Sequence, residues 1–116
     1  MERSTYQLRI EADEKQYDTI SSLLGLKPKS YAHGWSYEIV LEEEPTTYDV
    51  VERFLLSLQN KFELLAGIGV RRGDISVWII YAYNGQCNME FAPNILKCLG
   101  DSGIALCISC YEAGIE

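Results

Sequence analysis

Two cysteines three residues apart, a lone histidine, a run of three glutamates and a dense set of aromatics are the side chains through which this 116-residue chain would do chemistry or recognition. Cys107-Ile108-Ser109-Cys110 has the C-x-x-C spacing of zinc and dithiol motifs. In a zinc site the backbone turns between the two thiolates, usually through Gly, so that both face one metal. In a redox site the pair sits at a helix N-terminus, where backbone N–H groups stabilise the thiolate. Here the pair lies in an apolar, strand-like run with no turn residue, and positions i and i+3 of a strand point to opposite faces. Cys87 and Cys98 are too far apart in sequence to supply a second such pair. All four cysteines therefore read as reduced, buried, structural thiols. His33 lacks the nucleophile-and-orienter setting of a catalytic histidine. Ser30 and Ser36 flank it, but no Gly-x-Ser-x-Gly elbow is present, and it reads as an exposed loop residue. Gly67-x-Gly69 follows a helix rather than a strand and lacks the Lys-Ser/Thr of a phosphate loop. The expectation is a non-enzyme with no cofactor and no bound metal.

Recognition is the better use of the polar residues. Glu42-Glu43-Glu44 precedes Pro45 at the start of a helix. One reading is a solvated helix entrance favoured by the macrodipole; the other is a patch for a basic protein surface, with Glu38 on the same strand face as Glu42. A calcium loop is excluded, because the alternating Asp, Asn and Gly ligand positions are missing. Tyr31, Trp35, Tyr37 and Tyr48 surround that run, and aromatics beside acids are typical interface anchors. Trp35 fits a lid on the core equally well. The candidate partner-binding set is Glu42, Glu43, Glu44, Trp35, Tyr37 and Tyr48. Trp78, Tyr81, Tyr83 and Tyr111 lie in strand-like segments and read as core or cross-strand pairs.

Composition narrows the partners. The chain is 47% hydrophobic and 23% charged, with 17 acidic against 10 basic residues and a net charge of -7. Clustering of basic residues goes no further than short pairs, Lys27 with Lys29 and Arg71 with Arg72, so no phosphate-binding stripe forms and nucleic acid is not an expected ligand. No apolar run reaches the roughly 20 residues of a membrane span. Met1-Glu2-Arg3-Ser4-Thr5 has no apolar signal core, so the expected compartment is the cytoplasm.

The elements that must position these residues are well punctuated. Alternation over 6–11 predicts a half-buried strand. Asp13 and Gln16 have capping-box spacing, Tyr17, Ile20, Leu23 and Leu24 form one helical stripe, and Gly25 with Pro28 ends it. Residues 27–34 read as a loop and 35–42 as a second strand. Thr46 or Thr47 caps the longest helix, with Val51, Leu55, Leu58, Phe62 and Leu65 on its buried side. Ile75–Tyr83 is apolar on both faces, as a central strand is. Asn84-Gly85 predicts a type I′ hairpin that sets Tyr83 opposite Gln86 and Tyr81 opposite Asn88. A last helix starts at Pro93 and ends at Gly100, followed by a strand over 104–111. The expected fold is one α+β domain over 1–116, a two-layer sandwich of about five strands in a mixed sheet with three helices, in the order β-α-β-α-β-β-α-β.

Leu23-Leu24-Gly25-Leu26-Lys27-Pro28 at a helix end, Gly34-Trp35 at a strand start, and the closing Gly103–Ile108 segment together resemble a family of small bacterial proteins known only as a domain of unknown function. Such acidic families without catalytic residues are similar to the immunity proteins of polymorphic and contact-dependent growth-inhibition toxins. The resemblance implies a non-catalytic protein that occludes a cognate toxin, and carries over no catalytic residue. Electrostatic steering toward a basic toxin is consistent with the charge. A small-molecule or metal-sensing domain using Cys107 and Cys110, and a homodimeric structural or adaptor subunit, are the alternatives.

Overall fold

The computed structural model describes residues 3–29, 34–41, 47–86 and 88–112. Four strands, β1 (Arg3–Ile10), β2 (Trp35–Leu41), β3 (Ile75–Tyr83) and β4 (Ala105–Glu112), form a mixed sheet in the order β2-β1-β3-β4. β1 is antiparallel to both neighbours, so Ile10 sits between Trp35 and Ile75, and Tyr6 between Ile39 and Ile79. β4 runs parallel to β3, with Cys107 opposite Trp78 and Cys110 opposite Tyr81. Four helices connect the strands: α1 (Tyr17–Leu24), α2 (Thr47–Leu58), α3 (Phe62–Gly67) and α4 (Pro93–Ser102).

The period-2 alternation of each strand decides which side of the sheet the helices cover. Tyr6, Leu8 and Ile10 of β1, Trp35 of β2 and Ile75, Val77 and Ile79 of β3 point to one side. Each is almost completely buried, in one cluster with Ile20 and Leu24 of α1, Val51, Phe54 and Leu58 of α2, Leu65 of α3, and Ile95 and Leu99 of α4. Removing an aliphatic side chain of this size from water stabilises by about 1.5–3 kcal/mol, so this cluster is the main driving force. Gln7, Arg9, Ser76, Trp78 and Ile80 point to the other side and are only half-buried.

Local chemistry ends the elements. Gly25 takes φ 66°, and the N–H groups of Gly25 and Leu26 both donate to the Ser21 carbonyl, closing α1 as the Leu-Gly-Leu-x-Pro pattern predicts. A 3-10 turn at Glu14–Gln16 leads into α1, and the Asp13 N–H donates to Gln16 Oε1 at 2.6 Å. α4 starts at Pro93 but runs past Gly100 to Ser102, with Gly103 in the left-handed region. Arg72 holds that end: its Nη1 donates to the Ser102 carbonyl at 2.8 Å while its guanidinium lies 3.9 Å over the Phe62 ring.

Three expectations are corrected. Among the described residues the sheet has four strands, not five, because Asn84-Gly85 does not open a hairpin. β3 is paired on one side with β1 and on the other with β4, leaving no edge for a returning strand. Gly85 has positive φ but Asn84 does not, whereas a type I′ turn needs both. The expected long helix is two, giving four helices rather than three. Asn60 takes φ 64° between α2 and α3, a conformation Asn tolerates better than other side chains, and the apolar spacing continues across the break. The element order is accordingly β-α-β-α-α-β-α-β. No helix among the described residues is long and apolar enough to cross a membrane.

Candidate partner-binding surface

The sequence-predicted surface divides between the two sides of β2 and the undescribed segment that follows it. Trp35 is fully buried on the helix-covered side, and its Nε1 donates to Ser21 Oγ at 2.9 Å. Of its two readings the core lid is therefore the observed one, since an indole with no exposed area cannot touch a partner. Tyr37 points to the same side, packs edge-on against Phe54 with ring centroids 6.1 Å apart, and is half-buried. Glu38 points to the opposite, uncovered side. Tyr48 belongs to α2, and its side chain lies outside the description, as do Glu42, Glu43, Glu44, Tyr31 and His33. Trp35, Tyr37 and Glu38 are thus not brought to one face.

The cysteines differ from expectation as well. Cys98 and Cys110 are exposed and Cys107 half-buried, so these are not core thiols, while Cys87 lies outside the described residues. Cys107 is in register with Trp78 on the uncovered side and Cys110 with Tyr81 on the helix side, so the C-x-x-C pair diverges as strand geometry requires. β4 is one of the two edge strands, which leaves its side chains without a neighbouring strand on one flank. Among the described residues no group of three His, Cys, Asp or Glu is placed to hold a metal.

What the register does assemble is a network on the uncovered sheet face. Glu38, Gln7, Trp78 and Cys107 form one cross-strand row over all four strands. Gln7 Nε2 donates to Glu38 Oε1 at 2.8 Å, and Arg9 Nε donates to Gln7 Oε1 at 2.7 Å. The Arg9 guanidinium lies 4.0 Å over the Trp78 ring, whose Nε1 donates to Ser76 Oγ at 3.0 Å. Partial burial lowers the Arg9 pKa, an effect opposed by the nearby Cys107 thiol. Beside this network, toward the end of β1, lies a depression of about 510 Å³ lined by Arg9, Glu11, Tyr17, Ser76 and Trp78 among others.

Comparison with protein-family models, curated proteins and solved structures gives no significant match.

On the helix side, a groove of about 460 Å³ runs between α2 and α4. Leu55, Leu56, Phe62 and Ile95 give it an apolar floor, and Glu52 and Asp101 also line it. Asp101 is held by Lys97 in an exposed ion pair of 2.6 Å. The Arg9–Trp78 network was not visible in the sequence. Alternation places Gln7 and Arg9 on one side of β1, but only the three-strand register sets them against Glu38 and Trp78.

Proposed function

We propose that this chain is a non-catalytic binding protein of the immunity type, which neutralises a basic bacterial toxin domain by covering its active site. The observation that carries this reading is a sheet face that none of the described helices covers, on a chain of net charge -7. That face offers a flat, hydrogen-bonded platform of Glu38, Gln7, Arg9 and Trp78, with Val40 and Tyr111 exposed toward its two edges. Tyr, Trp and Arg are the residue types that most often anchor protein interfaces. The resemblance of Leu23–Pro28 and Gly34-Trp35 to small bacterial immunity-like proteins supports the same reading. The acidic run Glu42–Glu44, which follows β2 in the chain, belongs to the proposed surface as the source of steering toward a basic partner.

The test is capture from a lysate of the native host at low and moderate salt, followed by co-expression of any captured protein with and without this chain. The expected result is a stoichiometric basic partner, released by salt, whose toxicity this chain relieves. A captured partner whose toxicity is unchanged by co-expression, or no partner at low salt in a host that expresses this chain, overturns the reading.

A second reading, a homodimer, is favoured by β4. This edge strand has no charged residue from Ala105 to Tyr111, no Pro and no Lys, and its Ile108 and Tyr111 are 45% and 54% exposed. Edge strands of monomers are usually guarded by such residues, because unpaired backbone groups template another strand. Light scattering that detects only monomer at high concentration removes this reading.

A further inference from the structure

We propose that the depression beside Arg9 and Trp78 is a binding site for a free amino acid, its carboxylate on the Arg9 fork and its ammonium group toward Glu11. Arg9 is positioned more tightly than a surface arginine needs to be. Its Nε is held by Gln7 Oε1 at 2.7 Å, Gln7 is held in turn by Glu38 at 2.8 Å, and its plane rests 4.0 Å over Trp78. Trp78 is itself pinned by Ser76 at 3.0 Å. Glu38 therefore orients the guanidinium through Gln7 without an ion pair to it. Among the described residues the ion pair is Lys97–Asp101, on α4, and the two Nη groups of Arg9 make no hydrogen bond. In a chain with 17 carboxylates, a partly desolvated guanidinium fixed on one nitrogen and open at its fork is preorganised for an incoming carboxylate.

The rest of the lining selects the ligand class. A volume of about 510 Å³ suits a small molecule. Glu11 lines the same depression just past the end of β1, where its backbone N–H donates to the Asp74 carbonyl at 2.8 Å. A polyanion would meet Glu11 and a simple cation would meet Arg9, whereas a zwitterion satisfies both. Tyr17 and Trp78 supply apolar ring surface for the body of the ligand. This site shares Arg9 and Trp78 with the proposed partner-binding face, but it needs no protein partner, so ligand binding by the isolated chain and partner capture fail separately.

The experiment follows the two indole N–H signals of ¹⁵N-labelled protein by NMR. Trp78 lines the site, while Trp35 is buried on the other side of the sheet and bonded to Ser21, so its unmoved signal certifies an intact core. The standard L-amino acids are added singly at millimolar concentration. Any that bind are tested again as the amine lacking the carboxylate and as the N-acetyl derivative lacking the ammonium charge. The expected result is a saturable shift of the Trp78 signal with at least one amino acid, weakened on the order of tenfold or more in both derivatives and in Arg9→Lys, which keeps the charge but loses the fork. Glu11→Gln is expected to weaken the amino acid while sparing the amine-free derivative. The proposal is overturned if no standard amino acid gives a saturable Trp78 shift. It is equally overturned if the derivatives bind like the parent, or if Arg9→Lys binds like wild type with its Trp35 signal in place.

Discussion

Gly34 and Trp35 act together where β2 begins, one by having no side chain and the other by having the largest. Gly34 has φ +82°, and a Cβ there would stand 2.6 Å from the Ile10 carbonyl oxygen, a backbone atom that cannot swing away. Gly25 also has positive φ, +66°, but open space around it. Alanine at 34 should therefore cost about 2 kcal/mol or more, combining left-handed strain with a clash, while alanine at 25 costs about 1 kcal/mol from strain alone. Urea denaturation of the two variants measures the difference, and equal losses would refute the clash. Trp35→Ala should cost about 3–5 kcal/mol, since it empties a fully buried site and removes the hydrogen bond that Trp35 Nε1 gives Ser21 Oγ, and Tyr37→Ala should cost clearly less because Tyr37 is half-buried. The Leu-Gly-Leu-x-Pro and Gly-Trp signatures are thus determinants of folding: one closes α1 and the other seats β2 against β1. Legible as they are in the sequence, they report directly on architecture, and they bear on what the surface binds only through the family resemblance they carry.

At the scale of elements, signals confined to one segment were legible and those that depend on pairing were not. α1 was readable from end to end because its stripe and its Gly25 stop are local. β1 and β3 were readable from alternation and from a β-branched, aromatic run. The Asn84-Gly85 hairpin failed for a reason no window of sequence contains, since both flanks of β3 are taken by strands far away in the chain. The α2–α3 break failed because Leu58 and Leu65 keep helical spacing and both are buried on either side of it, so the hydrophobic pattern continues where the backbone does not. Asn60 was the one available hint. If its φ of 64° makes the joint, Asn60→Gly should be neutral or slightly stabilising and Asn60→Ala should lose about 1 kcal/mol. Thermal melts of both variants test this, and an unchanged melting temperature in Asn60→Ala would mean the joint is set by packing alone. The candidate site shows the same limit: Gln7, Arg9, Glu38 and Trp78 come from three strands, and their meeting is a property of register.

Across the whole molecule, charge and an unguarded edge pull association in opposite directions, which makes ionic strength a discriminating variable. Two copies each carrying -7 repel at long range, while the uncharged stretch of β4 from Ala105 to Tyr111 invites strand pairing at contact. Screening reaches a Debye length of about 10 Å near 0.1 M salt, so added salt removes the repulsion and leaves the backbone hydrogen bonds and apolar contacts of β4 intact. Self-association through β4 should therefore strengthen as salt rises, and Ile108→Lys, which places a charge on that edge strand, should suppress it. Binding to a basic partner should behave in the reverse way, its association rate falling steeply with salt while dissociation changes little. Sedimentation of the isolated chain over a salt series, beside surface-plasmon kinetics with a captured partner, separates the two. Self-association that weakens with salt would mean that a charged contact elsewhere joins the copies, and a partner whose association rate ignores salt would mean that the acidic surface plays no part in finding it.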